Sequence, residues 1–279
     1  MNYYCYTISF KAQPDLDFFE IVPAWLAEAG FDSFTEEGKS IKAYVSEDLH
    51  KPKEIEKLLV WVNKRIPIVW RSELIKDRNW NREWENNFQP VMIDDRCFVR
   101  APFHNVDTTA EFDIVIMPKM SFGTAHHETT QMMIEFILEE DWLQKEILDM
   151  GCGTGVLAIL AVKMGAKSGL AIDNDIWAFE NAQENIARNK VPEITCKHGN
   201  ETLIEDKKFD SIFANINRNI LLQHIPFYAK ALKKGGKLFL SGFLEEDINT
   251  LLNKSEEHNL HFLKKKTLNN WAAIVVGFS

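Results

Sequence analysis

Three glycines at alternate positions, Gly151, Gly153 and Gly155, follow the short apolar run 147–150. They precede a helical apolar pattern at Val156, Leu157, Ile159, Leu160, Val162 and Met164. Strand, glycine turn and helix make the first half of a βαβ unit. Glycine belongs where a ligand must touch backbone, because no Cβ stands in the way. Asp173 ends the next apolar run, about twenty positions on, where such units place a carboxylate for ribose hydroxyls. A dinucleotide calls for Gly-x-Gly-x-x-Gly, but here the third glycine comes one residue early and Val156 fills its place. Asn215 ends a further apolar run, 209–214, and its amide oxygen could accept an N–H of an amine; alternatively it caps the helix that follows. Thr129 and Thr130 stand near the start of another helix, where hydroxyls and unpaired N–H groups can hold a carboxylate, or where they act only as caps. His126 and His127 are adjacent and point different ways, with no third ligand at a helical spacing, so no metal site is expected.

Around these residues the sequence alternates strand-like and helix-like stretches. Strands are expected at 112–117, 147–150, 168–172, 194–197, 209–214 and 237–241, with helices from the 120s to 140 and over 175–188, 220–232 and 245–257. Lys234-Gly-Gly reads as a turn, and 261–265 with 271–276 as a closing antiparallel pair. The fold class is α/β, an open, mostly parallel sheet with helices on both faces. Ligands bind at the carboxyl ends of such strands, and Gly151, Asp173 and Asn215 fall there on three different strands. Residues 1–75 read separately as β-α-β-β-α-β, a ferredoxin-like order. The strands are 3–10, 31–35, 41–45 and 66–74, and the helices are 18–29, ending at Gly30, and 52–62, starting at Pro52. This part carries no cluster suited to chemistry and is expected to be a recognition module. Residues 76–105 are expected to link the two, with Trp80, Trp84 and Phe88 on one face of a helix that Pro90 stops, then short strands at 91–93 and 97–100. Residues 106–279 form the expected catalytic domain.

The chain has 279 residues, 46% hydrophobic and 26% charged, enough to bury a core. Its formal net charge of -9 argues against nonspecific affinity for phosphate backbones and suits a basic partner. Cys5, Cys97, Cys152 and Cys196 form no Cys-x-x-Cys pair, which fits a reducing cytoplasm. No apolar run reaches the length of a membrane span. Nothing demands more than a monomer.

Asp149-x-Gly151-x-Gly153-x-Gly155 resembles motif I of the class I methyltransferases, which bind S-adenosylmethionine, a cofactor without a pyrophosphate. Phe122-Gly-Thr-x-x-His127-x-Thr129-Thr130 resembles the Phe-Gly-Thr signature of one family in that class, and Ala214-Asn-Ile216 and the tryptophan helix have counterparts there. On these residues the chain resembles the ribosomal protein L-eleven methyltransferase family (PrmA) along its whole length. The resemblance implies a Rossmann-like catalytic domain and transfer of methyl groups from S-adenosylmethionine to lysine ε-amines and the N-terminal α-amine of that ribosomal protein. It also implies a substrate-holding N-terminal domain. Cofactor contacts carry over to Thr130, Gly151, Asp173 and Asn215, with Gly153 in the same loop, and Asn215 is the expected catalytic group. Two positions depart from the pattern: Ala125 stands where the family has glycine, and Glu128 where proline is frequent. Ala125 is strained if its backbone needs a positive φ. Other readings are a methyltransferase for another protein or a small amine, and a non-catalytic S-adenosylmethionine-binding module. Direct nucleic-acid binding is not expected, since no basic stripe is visible.

Overall fold

Alternate residues of β1 (Tyr3–Phe10) point to opposite faces of a sheet, and Tyr6, Ile8 and Phe10 bury one of them. The computed structural model describes residues 2–11, 16–75, 88–104, 108–119 and 121–278. The helix expected over 77–90, with Trp80 and Trp84, lies outside the described residues up to position 87. The chain divides into two units, Met1–Asn87 and Phe88–Ser279.

In the first unit β1 is followed by α1 (Leu16–Glu28), β2 (Ser33–Glu37), β3 (Ser40–Ser46), α2 (Pro52–Asn63) and β4 (Ile68–Ile75). The strands form one antiparallel sheet in the order β2-β3-β1-β4. Pro52 opens α2 because a first-turn N–H has no helical partner to lose. Val22 and Leu26 of α1 and Ile55, Leu59 and Val62 of α2 pack with the inward residues of the sheet into a core of their own.

The second unit begins with a three-stranded sheet of β5 (Val91–Ile93), β6 (Cys97–Arg100) and β7 (Phe112–Val115). Asp94 and Asp95 turn β5 into β6 with φ of 51° and 52°, a left-handed pair that Asp tolerates in hairpins. Then come α3 (Glu128–Leu138), β8 (Glu146–Met150), α4 (Val156–Lys163), β9 (Ser168–Asp173), α5 (Ile176–Asn189) and β10 (Ile194–His198). The chain finishes with β11 (Phe209–Asn215), α6 (Arg218–Ala231), β12 (Leu232–Leu244), α7 (Ile248–Glu256), β13 (His261–Leu268) and β14 (Trp271–Gly277). Their sheet has the order β10-β9-β8-β11-β12-β14-β13. It is parallel from β10 to β12, and β14 runs antiparallel to both of its neighbours. Both faces are covered: Ile147, Phe213 and Phe239 pack with α3, α4 and α5, while Leu148, Ile212 and Leu240 pack with α6 and α7. Among the described residues, no helix is long and apolar enough to cross a membrane.

The turn expected at Lys234-Gly-Gly is instead part of the long strand β12, which carries Gly235 at φ +74° and a break in its pairing with β11 between Phe209 and Ser211. A bulge absorbs the extra residues without ending the ladder. The consequence for function lies at the other end of the sheet. Because β9, β8 and β11 are neighbours, Asp173, the glycine turn and Asn215 emerge side by side.

Candidate active site

The turn 151–155 holds three glycines with φ of 72°, 54° and 78°. Two of them also have no room for a Cβ: at Gly151 it would collide with Ile216 Cγ2, and at Gly153 with the Phe122 carbonyl. The turn spends its amides on the protein. Gly151 and Cys152 N–H donate to Ile172 O (2.8 and 3.1 Å), Thr154 N–H to Phe122 O (2.9 Å) and Gly155 N–H to Cys152 O (2.7 Å). Gly153 N–H donates to Asp173 Oδ2 (2.8 Å). A phosphate-binding turn aims its amides at the ligand; here five in succession are already taken. Asp173 Oδ1 accepts from Asp175 N–H (3.0 Å), so both carboxylate oxygens are held in place and each keeps acceptor capacity for a hydroxyl. Behind the turn, Asp149 is fully buried and accepts the Ala158 N–H (3.2 Å) at the start of α4, a helix whose N-cap, Gly155, has no side chain to offer. Burial pushes its carboxyl up to about 7, the Ala158 N–H opposes that, and the Asp173 charge adds to the rise.

The facing wall starts at Phe122-Gly123-Thr124. Thr154 ties this loop to the glycine turn, its N–H to Phe122 O and its hydroxyl to Gly123 O (2.6 Å). The segment before the loop is held by three buried asparagines of α5, spaced by four. Asn189 and Asn185 take the Val115 and Met117 N–H groups (both 2.9 Å), and Asn181 donates to Met117 O (3.2 Å). Asn185 also donates to Thr154 O (3.0 Å), which completes the link. Ala125 is fully buried with φ +67°. The position does need a left-handed backbone, which glycine adopts at no cost and alanine does not. Glu128 opens α3 and accepts from Asn269 Nδ2 (3.0 Å).

His127, not a threonine, caps α3. Its Nδ1 accepts the Thr129 N–H (3.2 Å), which leaves the ring proton on Nε2 in the neutral tautomer. The ring stands edge-on between Phe122 and Trp271, with centroids 5.1 and 4.8 Å away. Thr130 is buried, and its Oγ1 accepts from Asn215 Nδ2 (3.3 Å). With the amide so assigned, Asn215 Oδ1 is buried without any partner among the described residues. Such an orphan is rare enough to need an explanation. Capping of the helix after β11 falls to Asn217, whose side chain accepts the Asn219 N–H (2.9 Å), so Asn215 is free of that duty. Arg218 is engaged by Asp247 (2.6 Å).

These walls enclose a cleft of about 430 Å³. Gly151, Gly153, Asp173 and Asn215 line it, while Thr130 stands behind Asn215 and outside the lining. Phe122, His127, Ile216, Gly242 and Trp271 also line it, and none of these five was an expected contact of the ligand. An isolated glycine inside a strand is a sign of close backbone approach, which could have singled out Gly242; Trp271 carries no such sign. Two carboxylates, Asp173 and Asp175, stand among the described lining residues, and no lysine or arginine does. The cleft therefore favours positively charged ligands and disfavours phosphates. Carboxylate oxygens with spare acceptor capacity at Asp173, a turn that presents no anion nest and a buried acceptor at Asn215 without a partner among the described residues fit S-adenosylmethionine. A larger groove, about 580 Å³, runs along α5 and β10 but offers mainly apolar side chains beside Cys196 and Lys190.

The family model described as ribosomal protein L11 methyltransferase (PrmA) matches residues 15–278. The chain is 41% identical over 285 residues to the ribosomal protein L11 methyltransferase of Porphyromonas gingivalis, covering 98% of this chain and 97% of the relative. It is 42% identical over 260 residues to the protein of the same name from Phocaeicola vulgatus, covering 91% and 92%. Among solved structures, ribosomal protein L11 methylase from Lactobacillus delbrueckii subsp. bulgaricus superposes with a TM-score of 0.65 at 26% identity, over 69% of this chain and all of that one.

Proposed function

The chain belongs to the ribosomal protein L11 methyltransferase family, and on that premise we propose that it methylates amines of ribosomal protein L11, both lysine ε-amines and the N-terminal α-amine. The observation that carries the amine reading is Asn215 Oδ1, without a partner among the described residues, in a cleft whose described lining holds two carboxylates and no lysine or arginine. S-adenosylmethionine supplies a methyl already activated on a sulfonium, so the protein's work is placement and exclusion of water. Asp173 holds the ribose hydroxyls, and Gly151 and Gly153 let the cofactor lie against backbone. Asn215 Oδ1 accepts one N–H of the neutral amine and so aims its lone pair at the methyl carbon. Thr130 holds the Asn215 amide from behind. Phe122, His127 and Trp271 form the aromatic side that shields the acceptor from water.

A lysine amine near a pKa of about 10.4, or an α-amine near about 8, must shed its proton before reaction. His127 Nδ1 is occupied by Thr129, so the reading assigns that proton to solvent and not to a side-chain base. The β-α-β-β-α-β unit serves as the recognition module that brings the substrate's amines to the cleft. A net charge of -9 suits a basic ribosomal protein better than nucleic acid. The enzyme acts as a monomer in the cytoplasm, where ribosomal proteins are made.

The test is methyl transfer from labelled S-adenosylmethionine into ribosomal proteins of a methylation-deficient strain, followed by intact mass. Label on ribosomal protein L11, in steps of one methyl, is the expected result. Label on another protein, or none from an enzyme that binds the cofactor, overturns the substrate assignment.

A further inference from the structure

Ile216 lies between Gly151 of the glycine turn and Gly242 of strand β12. Its Cγ2 occupies the place where Gly151 would carry a Cβ. Its backbone occupies the corresponding place at Gly242, where a Cβ would run into the Ile216 carbonyl oxygen and stand 2.8 Å from its carbonyl carbon and 2.9 Å from its nitrogen. Gly242 has φ +94° and sits at the break in the β12–β14 register between Ser241 and Phe243. The residue before it, Ser241, accepts the Ile216 N–H (3.1 Å), and the Ser241 hydroxyl is spent on Ala272 O (2.8 Å). Strand β12 thus bulges at the one point where the chain leaving β11 must pass against it.

The residue held in this way follows Asn215 directly. Among the described residues the Asn215 side chain makes one hydrogen bond, the long 3.3 Å bond to Thr130. Its aim is therefore set mainly by the backbone it hangs from. We propose that Gly242 and Ile216 are positioning residues, which hold Asn215 at a fixed distance from the glycine turn and so fix the spacing between methyl donor and amine. The proposal rests on the reading of Asn215 as the group that aligns the amine. A Cβ at position 242 would push the Ile216 peptide by a sizeable part of an ångström. In-line transfer tolerates little of that, since a misplacement of about 1 Å costs about 10²-fold in rate.

The experiment is a double-mutant cycle of Gly242→Ala and Asn215→Ala, read as single-turnover methyl transfer to ribosomal protein L11, with S-adenosylhomocysteine affinity measured by calorimetry. Gly242→Ala is expected to slow transfer about 10- to 100-fold while cofactor affinity and the KM for the protein change less than about threefold. In the Asn215→Ala background the same change is expected to cost less than about threefold more, because both act through one group. Losses that multiply, or a loss confined to affinity or KM, overturn the proposal. If Gly242→Ala does not fold, Ile216→Ala tests the other side of the clamp, where Ile216 Cγ2 packs against Gly151. It is expected to slow transfer about tenfold, with most of the loss recovered in Ile216→Val, which keeps Cγ2; equal rates for the two overturn the proposal. An Asn215→Ala enzyme with normal turnover would instead remove the reading of Asn215 itself.

Discussion

On the proposed reading, the donor side of the cleft comes from one contiguous turn and one carboxylate, whereas the acceptor side is gathered from Phe122, His127, Thr130, Asn215 and Trp271, on a loop, a helix, and two strands. The donor side works through backbone shape. Its glycines are required at fixed intervals, because Gly151 and Gly153 have positive φ and neighbours where a Cβ would stand. The acceptor side works through side chains, each needing only the right type at the right end of its element. A backbone site must be written in consecutive residues; a side-chain site need not be.

The sharpest way to break this comparison is to remove the one side chain on which the donor side depends. Asp173→Ala takes away the proposed ribose acceptor and also orphans the Gly153 and Asp175 N–H groups that it holds. Affinity for S-adenosylmethionine should fall about 10³-fold, since hydrogen bonds to a charged group are worth about 1.5–3 kcal/mol each. Unchanged affinity in a calorimetric titration would sink the assignment. Asn215→Ala should do the converse, lowering turnover about 10²-fold, the scale of one lost transition-state hydrogen bond, with cofactor affinity within a few-fold. Near-normal turnover would show that the acceptor side aligns the amine by other means.

Asp149 sharpens the comparison from within the donor side. Its carboxyl is raised from 3.8 to about 7 by burial, so the folded protein holds a proton that the unfolded chain releases at lower pH. The native state binds more protons between about pH 4 and pH 7, and stability must fall as pH rises through that window. The loss between pH 5 and pH 7 should be about 2 kcal/mol. Asp149→Asn keeps an oxygen for the Ala158 N–H but cannot ionise. Melting curves at the two pH values should therefore converge in the variant; an equally pH-dependent variant would rule out Asp149 as the source.

The same contrast explains what could be read from the sequence. The sheet and its helices were legible because apolar runs of strand length alternate with helical periodicity from Glu146 to Gly277. The place of Asp173 in the cleft lining was legible through its distance from the glycines. Asn215 was legible only as the residue at a strand end, and its missing partner is a fact of three dimensions. His127 was legible only as a member of the Phe-Gly-Thr signature, because a histidine that caps a helix through its ring nitrogen has no marker in sequence. The three asparagines of α5 carry no marker in sequence, yet all are buried and serve the backbone near the cleft. Trp271 and Gly242 lie far along the chain from the motifs, and only strand pairing brings them to the cleft.

Ala125 marks where the two sides meet and where the smallest effect is expected. It follows the loop that Thr154 ties to the glycine turn, it is fully buried, and it is held at φ +67°. An L-residue with a Cβ adopts that conformation at a cost of about 1–2 kcal/mol. Glycine avoids the strain but loses more entropy on folding, a difference of about 0.4–1 kcal/mol in the opposite direction. Ala125→Gly should therefore stabilise the protein by about 1 kcal/mol or less, a rise in Tm of about 2–4 °C at most for a unit of this size. The methyl is buried away from the cleft lining, so its removal should leave cofactor affinity within about twofold while the loop keeps its ties to Thr154. A variant that gains stability without gaining affinity would show that Thr154, and not the residue at 125, sets the loop's position over the turn. A large gain in affinity would show the reverse, that the strained alanine holds the acceptor side slightly out of register with the donor side.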